Sequence, residues 1–276
     1  MRIDAHQHFW VFDPVRDSWI NDEMHVIQRD FLPHDLEPHL LSNSIDGCVA
    51  VQADQSETET LFLLDLAKKN EMIKGVVGWV DLFSPGIAGR LEHYKQFETL
   101  KGFRHVLQGD PRRDLMLSAE FTRGIKALAK HGYTYDILIF PDQLIYAEKL
   151  VAQFPDQLFV LDHIAKPYVK DRRDDGWHGG IRALAKHENV YCKISGMVTE
   201  ADWHHWQVDD FKQYIDTILE AFGTKRIMFG SDWPVCLLAA DYNRVVQLAH
   251  HYVSGFSVDE HEQFFGGNAT WFYGLK

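Results

Sequence analysis

Eight short runs rich in β-branched and aromatic residues recur along this 276-residue chain, and stretches with helical spacing separate them. Strands that alternate with helices form βα units, and successive βα units build a parallel sheet. Eight such units in a chain of this length favour an α/β fold, a closed (β/α)8 TIM barrel that spans residues 1–276 as a single domain. The runs are RIDAHQHF, DGCVAVQAD, KGVVGWVDL, KGFRHVLQG, TYDILIF, LFVLDHIAKP, NVYCKISGM and RIMFGSDWP.

The connections at the two ends of the predicted barrel differ in length. Segments that lead from a helix back to a strand are short, as in KKNEMIKG and KHGYTYD. Segments that leave strands one, six and seven are longer and richer in aromatic and charged residues: WVFDPVRDSWINDEMHVIQRDF, KPYVKDRRDDGWHGG and SGMVTEADWHHW. Active sites of (β/α)8 barrels lie on the face formed by the loops that follow the strands. The longer loops therefore predict a functional face at the carboxyl ends of the strands.

The first strand carries two histidines, His6 and His8, one residue apart. Residues i and i+2 of a strand point to the same side, so both imidazoles face one direction. Two convergent imidazoles can hold a metal ion or orient a substrate. They can also be ordinary buried histidines of the barrel, an alternative that the pair alone does not exclude.

Further polar side chains stand at the ends of later strands. His163 ends strand six, and Asp232 ends strand eight in phase with Gly230. In NVYCKISG the alternation turns Lys193 and Ser195 toward the barrel interior. These positions bring an imidazole, a carboxylate and an ammonium toward the same face as the first two histidines.

Strand four supplies Arg104 and His105, and strand two supplies Gln52. Arg104 and His105 have opposite parity, so at most one points straight inward; we favour Arg104. Trp19 and Trp233 lie in loops on the predicted functional face and offer apolar surfaces, although tryptophans more often serve packing.

The overall charge narrows the range of partners. The net charge is −12, which argues against nucleic acid and anionic membranes because both select for basic patches. No apolar run approaches the ~20 residues that span a bilayer. Cys48, Cys192 and Cys236 are scattered without metal-site spacing, a pattern typical of a reducing compartment. The sequence predicts a cytoplasmic enzyme with a small-molecule substrate; it allows a homo-oligomer without fixing the oligomeric state.

These residues resemble the amidohydrolase superfamily, in its amidohydrolase-related branch. That superfamily carries HxH on strand one, a histidine on strand six and an aspartate at the end of strand eight, which correspond to His6, His8, His163 and Asp232. The segments RIDAHQHFW, GFRH, LDHIAKP, CKISGMVTEADW and FGSDWPVC are similar to those of the branch's sugar-lactone hydrolases, such as L-fuconolactone and L-rhamnonolactone hydrolases. The resemblance covers nearly the whole chain.

The resemblance also carries expectations about metal. Superfamily members with two metals have a Lys or Glu on strand four and a His on strand five, and this chain has neither. His6, His8, His163 and Asp232 remain as a ligand set for a single Zn²⁺ or Mn²⁺. Lactonases of the branch include enzymes that need no metal, because a lactone is easier to hydrolyse than an amide. We therefore expect at most one weakly bound divalent ion, with no strict requirement for it.

The resemblance implies hydrolysis of a 1,4- or 1,5-aldonolactone of a six-carbon deoxy or five-carbon sugar to its aldonate, a step in sugar catabolism. Asp232 acts as general base on the attacking water and passes the proton to the leaving ring oxygen. His163, His6 and His8 bind the water and the carbonyl oxygen. The predicted substrate-binding residues are Arg104, His105, Lys193, Gln52, Trp19 and Trp233.

Other interpretations remain open at this point. Lys193 can instead form a structural ion pair with Asp81 or Asp4. The same branch contains metal-dependent decarboxylases and amide hydrolases, which require a tightly bound ion. A barrel that binds a sugar acid without converting it is a third alternative.

Overall fold

The computed structural model describes residues 1–276 and contains one eight-stranded parallel sheet. Neighbouring strands in the sheet are also neighbours in the chain, in the order β1 to β8. Each strand lies at one of the eight runs picked out above, which confirms the predicted (β/α)8 barrel. The strands are β1 (Ile3–Gln7), β2 (Gly47–Val51), β3 (Ile73–Gly78), β4 (Leu100–Val106), β5 (Thr134–Leu138), β6 (Phe159–Leu161), β7 (Val190–Ile194) and β8 (Ile227–Phe229).

The barrel closes where the residues that follow β8 meet the end of β1. The backbone N–H of Asp232 donates to the carbonyl oxygen of His6 at 2.8 Å, and the N–H of His8 donates to the carbonyl oxygen of Trp233 at 2.7 Å. These two hydrogen bonds therefore hold His6 and His8 next to the segment that carries Asp232.

A helix follows every strand, and serine or aspartate caps begin several of them. Ser56, Ser118 and Asp241 each accept the N–H of the residue three positions later, which satisfies a free donor of the first turn. None of the helices has both the length and the apolar character needed to cross a membrane. The helices are α1 (Pro33–Ser42), α2 (Glu57–Lys69), α3 (Ile87–Tyr94), α4 (Ala119–His131), α5 (Leu144–Ala152), α6 (Trp177–Leu184), α7 (Lys212–Phe222) and α8 (Tyr242–Tyr252).

The long loops lie where the sequence predicts them, after the strands. Residues 8–32, 162–176 and 195–211 connect β1, β6 and β7 to their helices and contain only short 3-10 turns. They gather at the carboxyl ends of the strands and surround the mouth of the barrel.

Two short helices, α9 (Val258–Glu262) and α10 (Asn268–Tyr273), lie near the end of the chain, and α10 closes the end of the barrel opposite the long loops. Phe272, Tyr273 and Leu275 pack with inward side chains of several strands into an apolar cluster. The Tyr273 hydroxyl donates to Oδ2 of the buried Asp136 at 2.8 Å. The floor of the barrel thus contains an apolar cluster, and the Tyr273 hydrogen bond reaches upward from it into the interior.

Candidate active site

The two histidines at the end of β1 turn their imidazoles toward each other. Their Nε2 atoms are 3.2 Å apart, and both residues are buried. Nδ1 of His8 lies 2.8 Å from the carbonyl oxygen of Val51. A carbonyl can only accept, so this Nδ1 carries the proton. His8 therefore turns Nε2 toward the centre of the site.

Asp232 reaches the same point from the loop after β8. Its φ of +58° lies in the left-handed region, which non-glycine residues rarely use. Its Oδ1 is 3.3 Å from Nε2 of His8 and 3.8 Å from Nε2 of both His6 and His163. One carboxylate oxygen thus faces three imidazole nitrogens.

A left-handed turn directly after β6 positions His163. Residues 163–166 have φ values of 52°, 48°, 59° and 49°, and none of them is glycine. Each such residue costs about 1–2 kcal/mol. Ser195 Oγ lies 2.9 Å from Nδ1 of His163, and a Cβ on Gly196 would come within 2.5 Å of that nitrogen. Ser195 and the bare backbone of Gly196 therefore hold the ring with Nε2 pointing into the site.

Beneath the imidazoles, two cations and two carboxylates fill the barrel interior. Lys193 Nζ lies 2.6 Å from Asp136 Oδ2 and 3.0 Å from Asp162 Oδ1, and Arg104 Nη1 lies 3.0 Å from Asp162 Oδ2. Burial opposes ionisation of Asp162, but Lys193, His6 and Arg104 outweigh burial and hold its pKa well below the usual value. The four charges balance one another, which permits them to remain in the interior.

Lys193 belongs to an ion pair, as one of its two interpretations predicts, but with different partners. Asp136 of β5 and Asp162 after β6 face it, not Asp81 or Asp4. The ammonium is fully buried and does not line the pocket that opens above the imidazoles.

Arg104 points into the barrel, as the parity argument favours, and His105 does not. Arg104 Nε donates to Oε1 of Gln52 at 2.9 Å, and Nη2 donates to the carbonyl oxygen of the same residue. His105 lies on the other side of β4, where it accepts a hydrogen bond from Trp79 Nε1 at 3.3 Å and contacts Phe83. Arg104 borders the pocket, while Gln52 holds the guanidinium from below.

A pocket of 330 Å³ opens above the imidazoles. Such a volume suits a small ligand. Its wall combines the cations Arg16, Arg104 and Lys166 with carboxylates, and Trp19 provides an apolar face. Trp233 is absent from this wall because it is buried against Phe31, with ring centroids 5.2 Å apart. The lining residues are His8, Arg16, Trp19, Ala53, Asp54, Gln55, Arg104, Val106, Gln108, Leu138, His163, Lys166, Asp232 and Val235.

Lys166 and Arg16 are pocket residues that the sequence reasoning misses. Lys166 Nζ lies 2.7 Å from Glu200 Oε1, and Arg16 pairs with Asp17 at 2.7 Å. Lys166 stands three positions after His163 in LDHIAKP. Residues i and i+3 share a face only where the chain is helical. In a strand, positions 163 and 166 point to opposite sides, so treating this segment as a strand gives no sign that Lys166 accompanies His163.

The surroundings of Asp232 favour its ionised form. Burial lowers the pKa of His6 and of His163 well below the ordinary value. Burial opposes ionisation of Asp232, but the imidazoles of His163 and His8 and the ammonium of Lys166 outweigh it and lower its pKa. Asp232 is therefore ionised at neutral pH and able to accept a proton.

The donor set also fits a divalent metal ion. Nε2 of His6, Nε2 of His8 and Oδ1 of Asp232 are separated by 3.2, 3.3 and 3.8 Å. A tetrahedral ion with bonds of about 2.1 Å holds its ligand atoms about 3.4 Å apart. Nε2 of His163, 3.8 Å from Asp232 Oδ1, completes a set of four. Arg104 Nη1, 3.3 Å from His6 Nε2, opposes a cation at this position.

Known proteins are similar to this chain in sequence and in structure. The amidohydrolase family model matches residues 3–275. An L-fucono-1,5-lactonase of Burkholderia multivorans is 40% identical over 286 residues, which cover 100% of this chain and 96% of that protein. An L-fucono-1,5-lactonase of Burkholderia ambifaria is 34% identical, over 99% of this chain and 95% of that protein.

A solved structure with the same fold contains a metal. It is an amidohydrolase from Burkholderia multivorans with bound zinc, 39% identical to this chain, with a TM-score of 0.97 and complete coverage of both chains. The zinc belongs to that protein, and for this chain it agrees with the donor set of His6, His8 and Asp232.

Proposed function

Because this chain belongs to the amidohydrolase family, we propose that its pocket binds L-fucono-1,5-lactone or a closely similar deoxyaldonolactone and that Asp232 is the general base. The chain is a sugar lactone hydrolase, since relatives named L-fucono-1,5-lactonase match it over essentially their full length. The single observation that supports the assignment of the base is Oδ1 of Asp232, which faces three imidazole nitrogens at the pocket.

Asp232 supplies the proton transfers. As a carboxylate, it takes a proton from a water molecule while the water oxygen attacks the carbonyl carbon of the lactone. The bond from the carbonyl carbon to the ring oxygen then breaks, and Asp232 passes the proton to that oxygen. The product is the open-chain aldonate with a free hydroxyl where the ring was closed.

Arg104 stabilises the negative charge that develops on the carbonyl oxygen. Gln52 and Asp162 hold its guanidinium in place, so it has little need to reorganise as the charge forms. His163, His6 and His8 bind the attacking water and the carbonyl oxygen. Lys193, which the sequence analysis groups with Arg104 as a substrate-binding residue, acts instead from beneath the pocket through its contact with His6.

Trp19 and the two outer cations complete the binding site. Trp19 offers its apolar face to the sugar ring, while Arg16 and Lys166 donate to hydroxyl groups. These side chains stand where the long loops after β1 and β6 meet the pocket.

The metal has a secondary place in this proposal. His6, His8, His163 and Asp232 would hold one Zn²⁺ or Mn²⁺, which when bound supplies Lewis acidity at the carbonyl oxygen and the attacking water. Arg104 already places a positive charge beside the carbonyl, so we propose that the ion is weakly bound and not required.

Removal of metal is expected to leave much of the lactonase activity intact. The protein is treated with a chelator, and its metal content is measured by elemental analysis beside its turnover of the lactone. We expect at most one divalent ion per chain before treatment, and a rate after treatment that stays within severalfold of the original. If activity disappears when the metal is removed and returns in proportion to added Zn²⁺ or Mn²⁺, the prediction is wrong, and His6 and His8 act as ligands of a required metal ion.

A lactone panel tests the reaction and its substrate. Purified protein is mixed with 1,4- and 1,5-aldonolactones of L-fucose, L-rhamnose and five-carbon sugars, and acid release is followed with a pH indicator against spontaneous hydrolysis. We expect the highest kcat/KM for the L-fucono-lactones. Consumption of an amide or an aromatic carboxylate, with no lactone rate above background, would instead favour the decarboxylase and amide hydrolase alternatives, which at present have no comparable support.

A cytoplasmic location and the oligomeric state stay predictions of the sequence. The three cysteines are buried and unpaired. Cell fractionation and light scattering of the purified protein address these two points.

A further inference from the structure

Three cations line the pocket above the imidazoles, and each of them pairs with a carboxylate that lies outside the pocket wall. The pairs are Arg16–Asp17 at 2.7 Å, Arg104–Asp162 at 3.0 Å and Lys166–Glu200 at 2.7 Å. Asp232 belongs to the same wall, but its ion-pair contacts are with imidazoles alone. The carboxylates outside the wall therefore leave Asp232 free of the three cations.

The pair of Lys166 and Glu200 joins two different loops across the pocket wall. Lys166 follows β6 and lines the pocket, while Glu200 belongs to the loop after β7 and borders a separate cleft outside it. Nζ of Lys166 donates to Oε1 of Glu200 at 2.7 Å, and the backbone N–H of Lys170 donates to the carbonyl oxygen of Glu200 at 3.0 Å. The two side chains are only 15% and 18% exposed, so solvent screens their attraction less than that of a surface pair. Glu200 therefore holds the ammonium from outside the pocket.

Asp232 is the next carboxylate that attracts the ammonium of Lys166. Burial opposes the charged form of Lys166, but Glu200 and then Asp232 outweigh burial and raise the pKa of its ammonium. An ammonium that paired with Asp232 would occupy the oxygen that has to accept a proton from the attacking water. A productive pocket therefore needs Lys166 close enough to bind the substrate but held away from Asp232.

We propose that Glu200 is a positioning residue: it holds Lys166 at the pocket wall, where the ammonium donates to the substrate, and prevents Lys166 from pairing with Asp232. The inference rests on the proposed function, because it takes Asp232 as the base of lactone hydrolysis. It adds a task for a side chain that does not line the pocket. Glu200 acts only through Lys166, so the effect of losing Glu200 should depend on the presence of that lysine.

The first test locates the Lys166 ammonium without any measurement of turnover. Crystal structures of the wild type and of E200M are determined from chelator-treated protein, so that no bound metal ion competes with Lys166 for Asp232. Methionine has nearly the length of glutamate but offers no carboxylate. We expect Nζ of Lys166 to lie within about 3 Å of a carboxylate oxygen of Asp232 in E200M, the length of a charge-assisted hydrogen bond, and to stay on Glu200 in the wild type. A Lys166 that remains unpaired with Asp232 in E200M would overturn the inference.

The second test compares three variants, E200M, K166M and K166M/E200M, whose kcat and KM are measured with the best lactone of the panel. We expect E200M to lower kcat by about tenfold, a part of the hundredfold or more that a general base contributes. K166M should mainly raise KM, because it removes a donor to the substrate and leaves Asp232 free. The double variant should have the kcat of K166M, so that removal of the lysine restores the turnover that is lost with Glu200. A merely structural role of Glu200 gives no such recovery.

Arg172→Met is the matched control for the loss of Glu200. Arg172 and Asp210 also join the loops after β6 and β7, at 3.1 Å, but neither residue lines the pocket. This variant should keep the wild-type kcat and KM, and circular dichroism should show all variants folded.

Three kinetic results would contradict the inference. E200M could keep the wild-type kcat, K166M/E200M could turn over no faster than E200M, or R172M could lose as much kcat as E200M. In each case Glu200 does not act through Lys166. A wild type without lactone turnover would contradict the proposed function instead, and the two crystal structures would still decide whether Glu200 keeps Lys166 away from Asp232.

Discussion

Replacement of Asp232 by asparagine is expected to lower lactone turnover by a factor of about one hundred or more, the range that general acid–base groups contribute. Asparagine keeps the shape of the side chain and its contacts with the three imidazoles, but it cannot take a proton from water. The loss should appear in kcat, while KM changes less because the pocket wall is unchanged. Steady-state kinetics with the best lactone of the panel provide the measurement.

The control for this variant is another carboxylate that follows a strand. Asp81 comes just after β3, is exposed and accepts the backbone N–H of Phe83, so Asp81→Asn should turn over at close to the wild-type rate. Circular dichroism should show both variants folded. If Asp232→Asn kept more than about half of the wild-type turnover, far above the loss expected for a general base, Asp232 would not be the base.

Replacement of Asp162 by asparagine is expected to reduce the free energy of unfolding by about 3–5 kcal/mol, the cost of breaking a buried ion pair on one side. Arg104 and Lys193 both face this carboxylate, and all three side chains are almost completely buried. Asparagine supplies no charge, so two cations would share the single carboxylate of Asp136. Since whole domains are stable by only about 5–15 kcal/mol, urea unfolding should show a large shift of the midpoint.

Asp65→Asn is the matched comparison for this second variant. Asp65 pairs with Lys69 at 2.5 Å one helical turn away, but both side chains are more than half exposed. Solvent screens such pairs, so this change should leave the midpoint nearly where it was. A midpoint for Asp162→Asn that moved as little as that of Asp65→Asn would mean that the interior cations do not depend on Asp162.

The barrel fold could be predicted from the sequence because the pattern of an apolar run followed by helical spacing repeats. Eight apolar runs separated by helical spacing allow few architectures, and each run contributes one strand of the barrel. Local chemistry also marks some helix ends, since α4 is followed by Gly132, whose φ of +77° suits glycine. Strand boundaries were less certain: β6 stops at Leu161 and β8 at Phe229, short of His163 and Asp232.

The alternation of side chains along a strand predicts their direction only where the strand is regular. It favoured Arg104 over His105 as the inward residue, and the pocket is lined by Arg104 but not by His105. It could not describe His163, because residues 163–166 leave the strand in a left-handed turn made of His, Ile, Ala and Lys. Local propensity opposes this conformation at every one of these residues, so only the surrounding barrel can impose it.

The buried ion pairs of Lys193 could not be predicted from the sequence, for a different reason. Whether a buried lysine has a partner depends on which strands face each other across the barrel. Asp136 and Lys193 are 57 residues apart in the chain, and no local pattern links them. An aspartate inside the apolar run TYDILIF was the one available signal, since a charge in such a strand needs a partner.

The short helix α10 at the floor of the barrel is synthesised last, but it contacts the side chains that lie beneath the pocket. Tyr273 is made after all eight strands, yet its hydroxyl donates to Asp136, and Asp136 in turn binds the Lys193 ammonium that faces His6. A nascent chain that already contains every pocket residue therefore still has an open, apolar barrel floor, the kind of surface that chaperones bind. The contacts that hold Lys193 beneath the pocket are therefore complete only after the last helix of the chain has been synthesised.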